Sequence, residues 1–425
     1  MSYITAMFSL DYPQALPQIR TVAYGYQPMQ FSDGGYCLII KASKEVILTA
    51  RANNSFKIYI IPDVEAPDRA LGFVSAFFDD HDEPLALFTP LFSDDDMLRD
   101  LGSALSQDNF ELYFFDEHSR ELMGVCAQVA DVGRFRKTLS STSFPNFEED
   151  EIHATLEAMT GWYGLRGNDH EALAFEVCLG KRLYPDDLVI MDFRNLERQN
   201  VDLDGGSDFA ALEDLLNPTS LERKEPGAFQ ERDIFTLLRR CFSGDEVFLN
   251  PVREDTGKEL CDLLVISEGI VLLVQAKDSP NTEASLRRSI ARKKIIIRDH
   301  IKKASRQLRG AIRHVHINDK VAILTTSGPK DIDIRARDVF GLVVVNEMFD
   351  DDFRSCSTPV LAVAKETKRP CVLVDYAALH TMALHLPSEG MFLGGLIQIF
   401  EVALKHGEYP KPRFTKKPPE RGAET

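Results

Sequence analysis

Three polar side chains stand at the ends of two consecutive apolar segments. Asp262 opens the segment 263–266, while Gln275 and Lys277 close the segment that begins at residue 270. A carboxylate beside an apolar strand is costly to bury unless it is paired or coordinates a cation. Gln275 and Lys277 are two residues apart, so they project from the same face of their strand. If the two strands pair as a hairpin, the three groups converge at one edge of a sheet.

This combination of groups suits the hydrolysis of a phosphodiester. Asp262, the side-chain oxygen of Gln275 and the main-chain carbonyl of Ala276 offer hard oxygen ligands to Mg²⁺ or Mn²⁺. The ion would polarise the phosphate and acidify a water, and Lys277 would orient that water or stabilise charge on the phosphate. Because Gln275 is neutral where an acid could stand, we expect weaker metal binding.

A fourth candidate, Glu231, lies in the predicted helix 228–241. It precedes Ile234, Phe235 and Leu238 by three, four and seven positions, so it shares their apolar stripe. Two interpretations remain open from the sequence. Glu231 either points into a cleft and completes the metal site, or lies in the first turn and offsets the helix dipole.

The order of these elements resembles the αβββαβ core of the PD-(D/E)xK nuclease superfamily. The Gln275-x-Lys277 variant is similar to that of the Mrr-type restriction endonucleases and their NERD-like relatives. The resemblance implies that Asp262 and Gln275 are metal ligands, Lys277 is the catalytic lysine and Glu231 is the helix carboxylate. Two positions depart from the pattern: Cys261 stands where a proline usually precedes the acid, and Gln275 replaces the second acid. The resemblance also implies a homodimer and, by analogy, antiviral defence against foreign DNA.

Charge is distributed unevenly along the chain. The net charge of −17 combines a balance of −21 in residues 1–221, from 16 basic and 37 acidic residues, with +4 in residues 222–425. Residues 284–315 carry eleven basic side chains and one acid, Asp299. This asymmetry favours a basic surface suited to phosphates beside an acidic partner domain.

The predicted helix 286–315 presents its apolar residues at three- and four-residue spacing, which is typical of a core-facing stripe. Polar residues elsewhere around it are candidates for contacts with a nucleic-acid backbone, the alternative being a solvated face. They are Arg298, Lys302, Arg306, Gln307, Arg309 and Arg313. Phosphate contacts are common to both nucleic acids, so we expect DNA while RNA stays open.

The remaining sequence predicts four regions within an α/β protein. Residues 1–139 form an acidic β-rich domain, 140–218 a small α/β segment and linker, 219–408 the nuclease-like domain with a mixed sheet, and 409–425 a disordered tail. The whole is therefore a restriction-endonuclease-like αβββαβ core preceded by a β-rich α+β region.

Local patterns predict several elements before residue 219. A polar turn is expected at 116–119 between two strands, a helix at 149–163 and a strand at 187–192. The strands predicted in the first domain are 36–41, 46–51, 56–62, 71–78, 84–92, 110–115 and 122–129.

Several classes of function find no support in the sequence. There is no GxxxxGK[ST], GxGxxG, HExxH or GxSxG motif, and the seven cysteines are scattered and odd in number. No apolar run approaches the roughly 18 residues of a membrane span, and the first residues lack the charged start of a signal peptide. We therefore expect a cytoplasmic protein without a membrane partner.

The sequence thus predicts a Mg²⁺-dependent endonuclease that acts on DNA. Its N-terminal region is expected to sense, recruit or restrain, through a protein partner or by covering the basic helix. The alternatives are a catalytically inactive DNA-binding or scaffold protein with a nuclease fold, and an RNA-directed nuclease.

Overall fold

The computed structural model divides the chain into two compact units. The N-terminal unit comprises Met1–Lys224 together with Pro280–Ile290, and the C-terminal unit comprises Glu225–Ser279 and Ala291–Thr425. The structure describes residues 7–21, 25–31, 34–62, 66, 68–77, 85–89, 95–144, 173–184, 220–318, 320–325, 328–335 and 337–412. The helix predicted at 149–163 and the strand predicted at 187–192 lie outside these ranges.

An eight-stranded mixed sheet forms the centre of the N-terminal unit. Its order is β1-β2-β6-β7-β8-β3-β4-β5, with β2 and β6 parallel and every other neighbouring pair antiparallel. The strands are β1 (Gly25–Gln30), β2 (Tyr36–Lys41), β3 (Ser55–Pro62), β4 (Ala70–Phe77), β5 (Leu85–Thr89), β6 (Phe110–Phe115), β7 (Glu121–Val129) and β8 (Leu173–Arg182). Because β8 pairs with β3 and β7, part of the predicted segment 140–218 belongs to this sheet.

Side chains alternate between two cores on the faces of this sheet. On β2, Leu38 and Ile40 join the larger core, while Cys37 and Ile39 join a smaller one. This alternation follows from the two-residue period of a strand. The helices of the unit are α1 (Met7–Asp11), α2 (Leu16–Thr21), α3 (Lys44–Asn53), α4 (Asp95–Leu105) and α5 (Val132–Ser141).

The strand predicted at 46–51 is wrong, because these residues lie within helix α3. All six are buried, so the segment shows neither alternation nor a helical stripe, and its β-branched residues suggested a strand. Ser43 is extended before the helix, and Asn54 ends it in the left-handed conformation with φ of 53°. The helix is short and enclosed on all sides.

A five-stranded mixed sheet with the order β16-β15-β12-β11-β9 forms the centre of the C-terminal unit. Strands β12, β15 and β16 are parallel, whereas β11 is antiparallel to both of its neighbours. The strands are β9 (Val247–Leu249), β10 (Val252–Arg253), β11 (Leu263–Ile266), β12 (Ile270–Lys277), β13 (Lys320–Thr325), β14 (Gly328–Asp333), β15 (Asp338–Val345) and β16 (Cys371–Asp375). Strands β10, β13 and β14 form a separate three-stranded sheet.

The helices of this part of the chain are α6 (Gly227–Leu238), α7 (Glu283–Leu286), α8 (Ile290–Ile317), α9 (Phe353–Thr367), α10 (Tyr376–His385) and α11 (Glu389–His406). Helix α7 belongs to the N-terminal unit, where Leu286 is buried in the larger core. The predicted α/β class with a mixed sheet is confirmed. The strand that follows α8 in the central sheet is β15, since β13 pairs elsewhere.

Helix α8 packs closely against the central sheet. Its buried residues, which include Ile301, Ala304 and Leu308, form the predicted core-facing stripe. A Cβ atom on Gly341 of β15 would lie 2.8 Å from Leu308 Cδ2 and 3.1 Å from Cys371 Sγ. Gly341 therefore allows the helix to approach the strand.

The described chain continues past the predicted start of the tail. Tyr409 is 1% exposed, and its hydroxyl donates a hydrogen bond of 2.5 Å to the carbonyl of Cys371. Its amide donates to Ser357 Oγ at 2.9 Å. Tyr409 thus belongs to the core of the C-terminal unit. Among the described residues, none of the helices combines the length and the apolar character needed to cross a membrane.

Candidate active site

Asp262 lies between two strands at one edge of the central sheet. Its carbonyl accepts a hydrogen bond of 2.9 Å from the amide of Asn250, and its side chain is 7% exposed. The carboxylate oxygen Oδ2 accepts from the amide of Ala276 at 2.6 Å and from Lys277 Nζ at 2.9 Å. The β11–β12 hairpin therefore brings Asp262 and Lys277 together, as the sequence predicted.

The ammonium of Lys277 contacts two of the oxygens that the sequence assigned to a metal. Besides Asp262 Oδ2, it donates a hydrogen bond of 2.7 Å to the main-chain carbonyl of Ala276. The Lys277 side chain is 16% exposed, so the ion pair is largely shielded from solvent. A divalent cation at these oxygens would have to displace the ammonium.

Gln275 lies next to Asp262 on the same side of the sheet. Leu263 pairs with Val274, and continuing this antiparallel register by one residue sets Asp262 opposite Gln275. Gln275 is 2% exposed, and its Oε1 has no hydrogen-bond partner among the described residues. Leaving such an acceptor unsatisfied costs about 1–3 kcal/mol. The chain therefore holds a buried oxygen ready to accept a ligand at this edge.

Glu231 faces this group of residues from helix α6. The helix begins at Gly227, so Glu231 lies beyond its first turn, which contains no acid. Its Oε2 accepts a hydrogen bond of 3.2 Å from Asn250 Nδ2. Burial and the nearby Asp262 raise the pKa of Glu231, while Asn250 and Lys277 lower it. These neighbours favour the interpretation that Glu231 points into the cleft.

Glu259 is a further acid that the sequence analysis missed. It lies in an exposed turn, with its carboxyl group near that of Asp262. Partial burial of that group, its hydrogen bonding to Asp262 when protonated and the negative charges of Asp262 and Glu231 raise the pKa of Glu259 to about 7, and Lys277 opposes the shift. The available signal was its position three residues before Asp262, after a Gly-containing turn.

Acidic groups are in excess at this edge of the sheet. Glu231, Glu259 and Asp262 interact with one another and share the single ammonium of Lys277. Among the described residues, no three His, Cys, Asp or Glu side chains converge closely enough to hold a metal ion by themselves. Any metal here would therefore use the Gln275 oxygen or a main-chain carbonyl as well. Such a set of hard oxygen ligands suits Mg²⁺ or Mn²⁺.

Three of the six residues predicted to bind nucleic acid form ion pairs with acids at or next to helix α9. Arg298 forms a bidentate contact with Asp352, at 2.7 Å for its Nε atom. Arg309 lies 3.0 Å from Glu366, and Arg313 pairs with the same carboxylate. These acids belong to α9 and to the residue that precedes it. The three arginines therefore attach α8 to α9, which reduces the charge they can offer to phosphates.

The other flank of α8 carries basic residues on its exposed surface. Lys303, Arg306 and Gln307 are exposed, and neither Lys303 nor Arg306 forms an ion pair with a described residue. Lys302 is also exposed, with Asp299 3.6 Å away. Burial, Lys277 and Lys303 lower the pKa of His300, so its imidazole stays neutral near the candidate site. The sequence analysis did not single out His300 or Lys303.

Comparison with known proteins assigns no family to this chain, because no protein-family model and no curated protein matches it.

Proposed function

We propose that the C-terminal unit is a metal-dependent nuclease that hydrolyses phosphodiester bonds of DNA. One observation carries the proposal: the Asp262 carboxylate is paired with the Lys277 ammonium, and the strand register sets Gln275, whose buried Oε1 has no partner among the described residues, opposite Asp262. A cation would satisfy this amide oxygen and offset the excess of acids. A structural ion pair alone would leave both unexplained.

The residues at this edge fit a divalent cation. Asp262, the Gln275 side-chain oxygen and the Ala276 carbonyl would hold it, with Glu231 completing the set. When bound, Mg²⁺ would supply Lewis-acid polarisation of the phosphate and acidify nearby water. With Asp262 Oδ2 and the Ala276 carbonyl taken by the cation, the Lys277 ammonium would be available to the phosphate.

The reaction is the hydrolysis of a P–O bond. A water oxygen bonds to phosphorus, the bond from phosphorus to the leaving sugar oxygen breaks, and the proton lost by the water ends on that leaving oxygen. Lys277 stabilises the negative charge that develops on the phosphate oxygens and orients the attacking water. Its partial burial strengthens this interaction by excluding competing solvent.

A nucleic-acid substrate is supported by the exposed basic flank of α8. Lys303, Arg306 and Gln307 share this flank, and His300 and Lys303 interact electrostatically near Lys277. Contacts of this kind hold the phosphate backbone without reading sequence, so binding should weaken steeply as salt rises. The homodimer, the cytoplasmic location, the role in defence and the sensing role of the N-terminal unit remain predictions from the sequence.

The deciding experiment is cleavage of plasmid DNA, single-stranded DNA and RNA by the full chain with Mg²⁺ or Mn²⁺. Lys277→Met is the test variant, and Lys365→Met, which removes an exposed lysine of α9, is the matched control. We expect the wild type and Lys365→Met to cleave DNA and Lys277→Met to be inactive. Preferred cleavage of RNA would identify the RNA-directed alternative.

An inactive DNA-binding scaffold gives a different result in the same assay. It would bind DNA through α8 and cleave nothing with either metal, and Lys277→Met would bind as the wild type does. The full chain is the appropriate reagent, since Leu286 is buried in the core of the N-terminal unit. Removing residues 1–218 would expose that side chain.

A further inference from the structure

The proposed site has only one acid in its sequence motif, because Gln275 occupies the position of the second. An amide oxygen ligates a divalent cation but does not neutralise its charge, and carboxylates largely set the affinity of Mg²⁺ and Ca²⁺ sites. Glu231 Oε2 accepts a hydrogen bond of 3.2 Å from Asn250 Nδ2 on the side of the site that faces helix α6. Glu231 thus contributes one carboxylate from the helix side, and the strand side of the site still lacks a second acid beside Asp262.

Glu259 is brought to Asp262 by the backbone of a hairpin. Residues Val252 and Glu259 form an antiparallel bridge, and the amide of Arg253 donates to the carbonyl of Lys258 at 2.8 Å. Gly257 turns the chain with φ of 64°, a conformation that favours glycine. The position of Glu259 thus follows from main-chain pairing rather than from a flexible side chain.

The side chain of Glu259 extends from this hairpin toward Asp262. Its carboxyl group lies near that of Asp262, whose Oδ2 already accepts from Ala276 and Lys277. Gln275 is 2% exposed, its Oε1 has no partner among the described residues, and the strand register sets it on the same side as Asp262. Two neighbouring carboxyl groups, with a buried amide oxygen on the same side, offer the oxygen donors that a divalent cation takes.

We propose that Glu259 is a metal ligand that supplies, together with Asp262, the second carboxylate that Gln275 lacks. This proposal rests on the metal-dependent function proposed above. The second negative charge would then come from Glu259, three positions before Asp262, and not from the strand that carries Gln275. The β10 hairpin would thus supply the acid that strand β12 lacks.

The test is direct binding of Mn²⁺ to the full chain, measured by isothermal titration calorimetry or by electron paramagnetic resonance. The variants are Glu259→Gln, Asp262→Asn and Glu268→Gln, the last removing an exposed acid from the β11–β12 turn as a matched control. We expect Glu259→Gln to raise the Kd for Mn²⁺ by about tenfold or more, and Glu268→Gln to change it by less than about twofold. Each variant is checked for an unchanged circular dichroism spectrum.

A rescue variant separates loss of a ligand from a structural effect. Gln275→Glu introduced into Glu259→Gln restores the second carboxylate from β12, and we expect it to recover most of the affinity. Glu259→Asp keeps the charge on a shorter side chain and should bind Mn²⁺ with intermediate affinity. These two variants also keep the test decisive if Glu259→Gln folds poorly.

The outcomes distinguish this proposal from the nuclease proposal. If Glu259→Gln binds Mn²⁺ as the wild type does while Asp262→Asn loses it, Glu259 is not a ligand, whatever the cleavage assay gives. If Mn²⁺ binding depends on Glu259 but no nucleic acid is cleaved, the metal site stands and the nuclease proposal fails. A wild type that binds no Mn²⁺ overturns the assignment of Glu259.

Discussion

Each unit contains a cluster of buried charges, and the two clusters differ in how those charges are paired. In the N-terminal unit, the turn between β6 and β7 buries Asp116 and Arg120, both of whose side chains are 2% exposed. Asp116 accepts from the amides of His118 and Arg120 at 2.9 and 2.8 Å and from Arg120 Nε at 2.6 Å. Asp116 therefore finds its donors within the turn itself.

In the C-terminal unit, the three acids Glu231, Glu259 and Asp262 share one lysine, and the amide oxygen of Gln275 has no partner among the described residues. The comparison distinguishes two uses of buried charge. Where local donors satisfy a carboxylate, as at Asp116, the charge fixes a turn and contributes to folding. Where acids outnumber donors, as around Asp262, a proton or a bound cation offsets the excess of negative charge. Substitutions in the N-terminal cluster should therefore change the free energy of unfolding. Substitutions around Asp262 should change metal binding and catalysis.

The largest expected effect is that of Asp262→Asn on cleavage. The variant removes the charge that anchors the proposed metal, so we expect kcat/KM for plasmid cleavage to fall by about 10³-fold or more. Stability should change by less than about 1 kcal/mol, because the lost ion pair with Lys277 is offset by relief of repulsion from Glu231 and Glu259. Plasmid-cleavage kinetics and urea unfolding measure the two quantities. A variant that cleaves normally would remove Asp262 from the active site.

The opposite pattern is expected for Asp116→Ala. It leaves the Arg120 guanidinium buried without its carboxylate, so the free energy of unfolding should fall by about 3 kcal/mol. The control is Asp108→Ala, which breaks an exposed pair with Arg136 and should cost less than about 0.5 kcal/mol. Urea unfolding compares the two, and the cleavage rate per folded molecule should be unchanged in both. Equal stability of the two variants would show that burial does not set the importance of this pair.

A smaller effect, in an unusual direction, is expected for metal binding by Lys277→Met. The Lys277 ammonium lies 2.9 Å from Asp262 Oδ2 and 2.7 Å from the Ala276 carbonyl, so it competes with a cation for these oxygens. Removing it should lower the Kd for Mn²⁺ by about threefold to tenfold while cleavage is lost. Calorimetric titration of this variant beside Lys365→Met measures the change. Weaker binding than in the wild type would show that Lys277 supports the metal site rather than competing for it.

The sequence predicted the part of the site that depends on neighbouring strands. Asp262 and Lys277 lie on two strands of one hairpin, so alternation and a short turn sufficed to bring them together. Glu259 was not predicted, because its position depends on the bridge to Val252 and no sequence periodicity indicates that bridge. The partners of Arg298 and Arg309 were also missed, since Asp352 and Glu366 follow more than fifty residues later in the chain.

Errors elsewhere have a related physical origin. The segment 46–51 was predicted as a strand because complete burial removes the amphipathic signal that separates a helix from a strand. The turn at 116–119 was expected to be polar, and its hairpin is confirmed, yet Asp116, Glu117 and His118 are buried. The composition of a turn does not indicate whether its charged side chains face solvent or pair with one another.

Glu117 provides the smallest expected effect that tests the comparison of the two clusters. It is the buried acid of the N-terminal cluster with the fewest hydrogen-bond donors. Its Oε2 has no partner among the described residues, and it is 7% exposed. Burial and the adjacent Asp116 raise the pKa of Glu117 to about 7, with Lys44 opposing the shift and Glu45 adding to it. The folded protein therefore disfavours the ionised form.

The sign of the pH dependence follows from this shift. Below the ordinary pKa of a glutamate the carboxyl group is protonated in both the folded and unfolded states, and it costs nothing. As the pH rises towards 7 the unfolded state gains by ionising, so folding loses stability, and the penalty is constant above that pH. Glu117→Gln stays neutral, so we expect it to stabilise the protein by about 1–2 kcal/mol at pH 8 and to have little effect at pH 4. Urea unfolding at the two pH values measures this difference, with exposed Glu176→Gln as the control from the same unit. If Glu117→Gln destabilised the protein at pH 8, the ionised carboxylate would be bound by a cation. The N-terminal cluster would then resemble the acids around Asp262 in needing a ligand.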